Sequence, residues 1–160
     1  MNYSAGGHMR THFVLAALCL AMTASAQPTE AEFMAEVTDN AAAEYVECAA
    51  YFLIVSQGLL KAGDTKTAKA YEDAYSKAME RSVMLASQSR TEAMALDVTR
   101  ARFRNNTADM WKTIDNNFSN LSLLSSKHGT SCLEAMTDAS AVFDRWAQKI
   151  ASRYQKPPKK

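Results

Sequence analysis

Proline is absent from Thr29 to Lys156, and this long uninterrupted stretch limits the folds open to the chain. All three prolines lie outside it, at positions 28, 157 and 158. Within it Ala, Met, Leu, Glu and Lys are abundant, and alternating runs of β-branched residues are absent. Proline breaks helix interiors, whereas the abundant residues have high helix propensities. The sequence therefore predicts an all-α protein.

Apolar residues recur at spacings of three or four through four segments of this stretch, as they do in amphipathic helices. The predicted helices cover residues 29–61, 65–88, 91–126 and 132–154. Gly63 suits the left-handed position after the first helix, and Asp64 suits the cap of the second. Ser-x-x-Glu sequences beginning at Ser89 and Ser131 are capping boxes, which predict that the third and fourth helices start there.

Four helices with short connections favour antiparallel neighbours, so we expect an antiparallel four-helix bundle over residues 27–155. The third predicted helix is unusually long. Asn105 and Asn106 are its weakest point, because Asn side chains compete for helical hydrogen bonds. A break near Asn105 would give five helices.

Charge also favours this arrangement. Residues 30–47 contain six acidic side chains and no basic one, whereas residues 145–160 contain six basic side chains and no acidic one. An up-down bundle places the start of the first helix beside the end of the last. The two blocks are therefore expected to face each other, and residues 156–160 form a basic tail.

The first 26 residues have the layout of a secretory signal peptide. Arg10 and His12 precede the apolar run Phe13–Ala24, and Ala24-Ser25-Ala26 is a cleavage sequence. The run is shorter than the ~20 apolar residues of a membrane-spanning helix. We therefore expect a periplasmic or secreted chain that begins near Gln27 and has no stable membrane span. An uncleaved anchor is the less favoured alternative, and Met9 is an alternative start.

Cleavage would leave only two cysteines, Cys48 and Cys132, in an oxidising compartment, where they are expected to form one intramolecular disulfide. The predicted helices make this pairing awkward, because Cys48 lies ~20 Å before the end of the first helix. Cys132 lies at the start of the fourth helix, which an ideal bundle places level with that end. Either the first helix bends or ends early, with Gly58 as a candidate, or the third helix breaks and the fourth starts lower. An intermolecular bridge is the less favoured alternative.

Metal and cofactor binding have little support in the sequence. His128 would be the only histidine left, in a turn before Gly129, where a solvated side chain or a C-terminal helix cap is expected. Weak candidates for a hard cation such as Ca²⁺ are the carboxylates of the first helix, namely Glu32, Glu36, Glu44 and Glu47. A solvated acidic face is the favoured interpretation, and no cofactor is predicted.

The methionines of the mature chain could bind a soft metal, but they are dispersed, and core packing is favoured for them. They are Met34, Met79, Met84, Met94, Met110 and Met136.

Basic side chains supply weak candidates for partner binding. Arg100 and Arg104 share a helix face, and the tail contributes Lys156, Lys159 and Lys160. The sequence has 18 Lys and Arg against 17 Asp and Glu, so loss of Arg10 brings the net charge to about zero. A near-zero charge argues against nucleic acid as a partner. A protein or another component of the cell envelope is the expected partner.

No nucleophile–base motif and no phosphate-binding loop is recognisable, so catalysis is not predicted. The sequence predicts an exported, periplasmic helical protein that binds a partner or supports an assembly. The alternative is a periplasmic helical carrier of a metal ion or small ligand in the bundle interior.

The cleavage site can be tested by mass spectrometry of the exported protein. We expect a mature chain that starts at Gln27, because Ala26 ends the cleavage sequence. An exported form that still contains Phe13–Ala24 would contradict this prediction. The precursor mass distinguishes a start at Met1 from a start at Met9.

Overall fold

The structure is a computed structural model that describes residues 28–154 of the 160-residue chain. All regular secondary structure in this range is helical, which confirms the all-α prediction. The predicted signal peptide and the basic tail lie outside the described residues. The helices are α1 (Glu30–Lys61), α2 (Thr65–Ala86), α3 (Glu92–Thr113), α4 (Leu121–Leu124), α5 (Thr130–Thr137) and α6 (Ala139–Tyr154).

Helix α1 forms the centre of the bundle and contacts every other α-helix. Its residues 48–52 are all buried, so its middle is enclosed on every side and not only on the predicted face. A helix that is apolar all round is a core helix. No helix within residues 28–154 has the length and hydropathy that crossing a membrane would require.

Local sequence signals set the first three helix starts. Thr29 and Glu32 form a capping box at α1, and the Asp64 carboxylate accepts a hydrogen bond from the Thr67 amide at 3.0 Å. Gly63 adopts a φ of 86°, as predicted. The predicted capping box at Ser89 is wrong. Thr91 is the N-cap of α3, since its backbone is extended and its hydroxyl accepts a hydrogen bond from the Met94 amide.

Helix α3 is shorter than predicted and ends at Thr113. Asn105 lies inside it, so the helix is not broken at the position that the sequence marked as its weakest. The chain turns instead at Asp115 and Asn116, which have φ values of 52° and 53°. Asp and Asn tolerate this left-handed conformation better than most residues with a side chain. Five helices of eight or more residues result within the described range, but the break falls later than expected.

After this turn, residues 118–154 return along α1 in the antiparallel direction, and we call this segment the return arm. A 3₁₀ turn (Phe118–Asn120) opens the arm, and a π-helical turn (Ser125–Gly129) joins α4 to α5. Leu121 packs against Gly58, where a side chain on the glycine would collide with it. At the far end of the arm, Arg153 binds Glu36.

The predicted helix start at Ser131 is wrong, because the return arm is already helical there. The Ser131 hydroxyl donates to the His128 carbonyl at 3.1 Å instead of capping a helix. The single fourth helix is also wrong, since Asp138 separates α5 from α6. Its carboxylate accepts hydrogen bonds from the amides of Ser140, at 2.9 Å, and Ala141, at 3.2 Å, as a helix cap does.

The predicted disulfide is confirmed. Cys48 and Cys132 are bonded, with a Cα–Cα distance of 5.2 Å, and both residues are buried. The turn at Asp115 removes the geometric conflict, because it starts the return arm level with the end of α1. Cys132 then lies well inside the arm and reaches the middle of α1, which continues unbroken through Gly58.

Removal of the Asp138 cap should destabilise the protein. We expect Asp138→Ala to lower the free energy of unfolding by about 1 kcal/mol, the usual contribution of an N-cap carboxylate. Urea denaturation measures the change, and Asp144→Ala on the exposed side of α6 is the matched control. Equal stability of the two variants would show that Asp138 does not fix the start of α6.

Candidate functional site

Two acidic side chains of α1, Glu44 and Glu36, bind α6, as the two charge blocks predict. Glu44 accepts hydrogen bonds at 2.6 Å from Arg145 and from the indole nitrogen of Trp146. Glu36 binds Arg153 and accepts a hydrogen bond from the Tyr154 hydroxyl at 3.2 Å. These contacts hold α6 against the first half of α1.

The four carboxylates that were weak metal candidates have separate partners. Glu32 caps its own helix, and the hydrogen bonds from Thr29 lower its pKa. Glu36 and Glu44 bind the return arm as above, and Glu47 binds His128. Within residues 28–154, no group of three or more His, Cys, Asp and Glu side chains is placed to hold a metal ion.

Glu47 and His128 lie in a cleft of about 250 Å³ beside the disulfide. The Nδ1 atom of His128 is 3.0 Å from Oε1 of Glu47, and the histidine side chain is only 7% exposed. The hydrogen bond from His128 lowers the pKa of Glu47 despite partial burial, and the charges of Lys127 and Lys149 add to the effect.

The solvated turn expected for His128 is therefore wrong. His128 lies in the π-helical turn, and its side chain is buried against α1. A signal was present in the sequence, since Leu124, His128 and Cys132 follow one another at intervals of four. All three are buried, and this spacing places them on the core-facing side of a helical segment. A single polar histidine in this series led instead to the expectation of a turn.

A second cavity, of about 780 Å³, lies between α2 and α3, and we call it the α2–α3 groove. Below the groove, the two helices meet along a line of small buried residues, which we call the seam. Within it, the Ser82 hydroxyl oxygen is 3.3 Å from that of Thr99. Small side chains let the two helices approach, but they leave the space above the seam unfilled. Met79, Val83 and Leu96 form the apolar walls of this space.

The rim of the groove carries exposed side chains. Met84 is 57% exposed, and Glu80 and Arg100 are exposed on opposite walls. Neither Glu80 nor Arg100 belongs to an ion pair within residues 28–154. Arg90, at the end of the groove, is bound 2.7 Å from Asp39 of α1.

Asp39 ties the α2–α3 turn to the central helix. It binds Arg90 from the turn and Arg102 from α3, the latter at 2.8 Å. Burial opposes ionisation of this carboxylate, but the hydrogen bonds and charges of the two arginines outweigh burial and lower its pKa. The end of the groove is therefore held in place by a charged contact.

Among the predicted partner-binding residues, Arg100 lines the groove, and Arg104 is exposed one turn further along α3. Lys156, Lys159 and Lys160 lie outside the described residues.

The predicted core packing of Met94 is wrong, because its side chain is exposed. The neighbouring Ala95 and Thr99 form the buried side of α3, so the Met94 side chain points away from the core. Met34 and Met84 are exposed as well.

A scan against protein-family models gave no match, and neither the curated proteins nor the solved structures gave a significant match to this chain.

The contact between Glu47 and His128 predicts a pH-dependent contribution to stability. The pKa of Glu47 in the folded protein lies below its ordinary value of 4.5. The stabilisation is therefore present above pH 4.5 and is lost as the pH falls through the lowered pKa. We expect Glu47→Gln to lower the urea midpoint at pH 7, with a difference from wild type that shrinks on acidification.

The control for this measurement is Glu72→Gln. Glu72 forms an exposed pair with Lys69 on α2, and such a pair contributes little to stability. A Glu47→Gln effect that is equal at pH 7 and pH 3 would show that the ionised contact with His128 does not stabilise the fold.

Proposed function

We propose that this chain is an exported, periplasmic helical protein that acts by binding and assembly rather than catalysis, and that the α2–α3 groove is its contact surface. The observation that carries this proposal is the open groove with apolar walls and an exposed Met84 on its rim. Covering a water-exposed apolar groove with another surface is favourable, because the apolar side chains are removed from water.

The shape and lining of the groove support a protein-binding role. Its volume of about 780 Å³ is enough for several side chains of a partner helix, and grooves between two helices commonly bind an amphipathic helix. Met79 and Met84 can adjust to the shape of a partner because the methionine side chain is flexible and polarisable.

The disulfide supports the proposed location. It is intramolecular and buried, and it joins the central helix to the return arm. Disulfides of this kind persist in the periplasm and outside the cell, whereas cytosolic thiols are kept reduced. This agrees with the signal peptide predicted from residues 1–26.

The buried histidine does not favour an enzyme. A histidine oriented by a carboxylate can act as a general base, but it needs a nucleophile or a substrate proton within reach. The hydroxyl of Ser131 donates to the backbone carbonyl of His128 instead. The nearby Cys48 and Cys132 are joined in the disulfide and carry no thiol.

The alternative function, a carrier of a metal ion or small ligand, relied on the carboxylates of α1 or on the methionines. Each of the four candidate carboxylates has its own partner, and the α2–α3 groove is lined by two methionines, Met79 and Met84, with no histidine or cysteine from residues 28–154 beside them. No specific observation favours this carrier, so binding through the groove is the function that we propose.

Site-specific photocrosslinking in cells that export the protein tests this function. A photoreactive amino acid at Met84, on the groove rim, is expected to give defined protein adducts. The matched control is Leu133 on the return arm, which is 54% exposed against 57% for Met84 but lies away from the groove. Absence of adducts at position 84, or the same adducts at both positions, would contradict the proposal.

A further inference from the structure

We infer that the α2–α3 groove binds a second copy of this chain and forms a dimer with two-fold symmetry. This inference rests on the proposed binding function of the groove and names its partner. It follows from the heights of the rim charges along the two helices and from the exposed Met84, which lies one turn from Glu80 on α2.

The contact between Ser82 and Thr99 sets the relative heights of α2 and α3. Glu80 lies two residues before Ser82, and Arg100 lies one residue after Thr99. Because the two helices are antiparallel, both residues are displaced in the same direction along the groove. At ~1.5 Å per residue, their backbones differ in height by only ~1.5 Å. An acid and a base therefore stand at the same level on opposite walls of one groove.

This arrangement is self-complementary. A two-fold axis that runs parallel to the helices along the mouth of the groove places α2 of one copy over α3 of the other without changing heights. Glu80 of each copy then faces Arg100 of the other, and the contact occurs twice. Neither side chain is already committed to an ion pair within residues 28–154.

The same operation pairs the apolar residues. Met84 lies two residues after Ser82, and Leu96 lies three residues before Thr99, so the two stand at nearly the same height. Met84 of each copy therefore packs over Leu96 of the other, and its exposed side chain enters the partner's groove. The apolar surface that is open to water in one copy becomes the centre of the interface.

The other charged residues that line the groove, Arg90 and Glu92, do not oppose this dimer. Arg90 is already neutralised by Asp39. Glu92 lies at the level of the α2 C-terminus, so it faces the polar Ser87 region of the partner rather than a like charge.

Beyond the end of the groove, the exposed Lys77 of one copy comes level with the exposed Arg104 of the other. The Glu80–Arg100 contacts must outweigh this like-charge contact.

Charge reversal tests the inference by sedimentation velocity with the full mature chain. The wild type is expected to be a dimer. Glu80→Arg places two arginines at each contact, and Arg100→Glu places two glutamates there. Each variant should dissociate with a constant at least about tenfold higher than that of the wild type, because like charges are brought together.

An equimolar mixture of the two variants provides the decisive result. Every contact in the mixed dimer again joins an acid and a base, so heterodimers should form from chains that are monomeric alone. The double variant Glu80→Arg/Arg100→Glu should also recover the dimer. Helical circular dichroism of each variant establishes that these exposed substitutions leave the fold intact.

The matched controls reverse exposed charges on the same helices outside the groove, with Glu72→Arg on α2 and Lys112→Glu on α3. Both controls should remain dimeric. A wild type that is monomeric at every concentration, dimeric single variants, or a mixture that stays monomeric would overturn the inference. Crosslinks from Met84 to a different protein would overturn the dimer while leaving the proposed binding function intact.

Discussion

Complete burial of the middle of α1 is the constraint on which the rest of the structure depends. A single helix with apolar and small residues on every side cannot be stable in water, so it must be covered all round. Helices α2 and α3 and the return arm provide that cover. Each of them makes a polar contact with α1. The Ser56 hydroxyl donates to the Ala68 carbonyl of α2, and Asp39 binds Arg102 of α3. The return arm is also held by the covalent bond between Cys48 and Cys132.

The sequence predicts the features of this fold that depend on local chemistry. The helical class, the cap at Asp64 and the left-handed Gly63 follow from nearby residues. The disulfide follows instead from counting, because only two cysteines lie outside the predicted signal peptide. The turn at Asp115 could not be located in this way. It uses residues with side chains in a left-handed conformation, whereas sequence reasoning looks for glycine or proline at such points.

The groove was also invisible to sequence reasoning, because it arises from packing between two helices. Ala95 and Thr99 count simply as positions on a helix face when periodicity is read from the sequence. Only the paired helices show that small residues meet small residues along the seam and leave a space above it. Arg100 was singled out by its charge, but its position beside an apolar groove depends on this packing.

The disulfide also determines what would happen if the backbone were cut. The exposed turn at residues 87–91 divides the chain into an α1–α2 half and a half made of α3 and the return arm. Cys48 belongs to the first half and Cys132 to the second, at a sequence separation of 84. A protease that cleaves this turn would therefore produce two polypeptides that remain one covalent molecule, and each half would keep one wall of the groove.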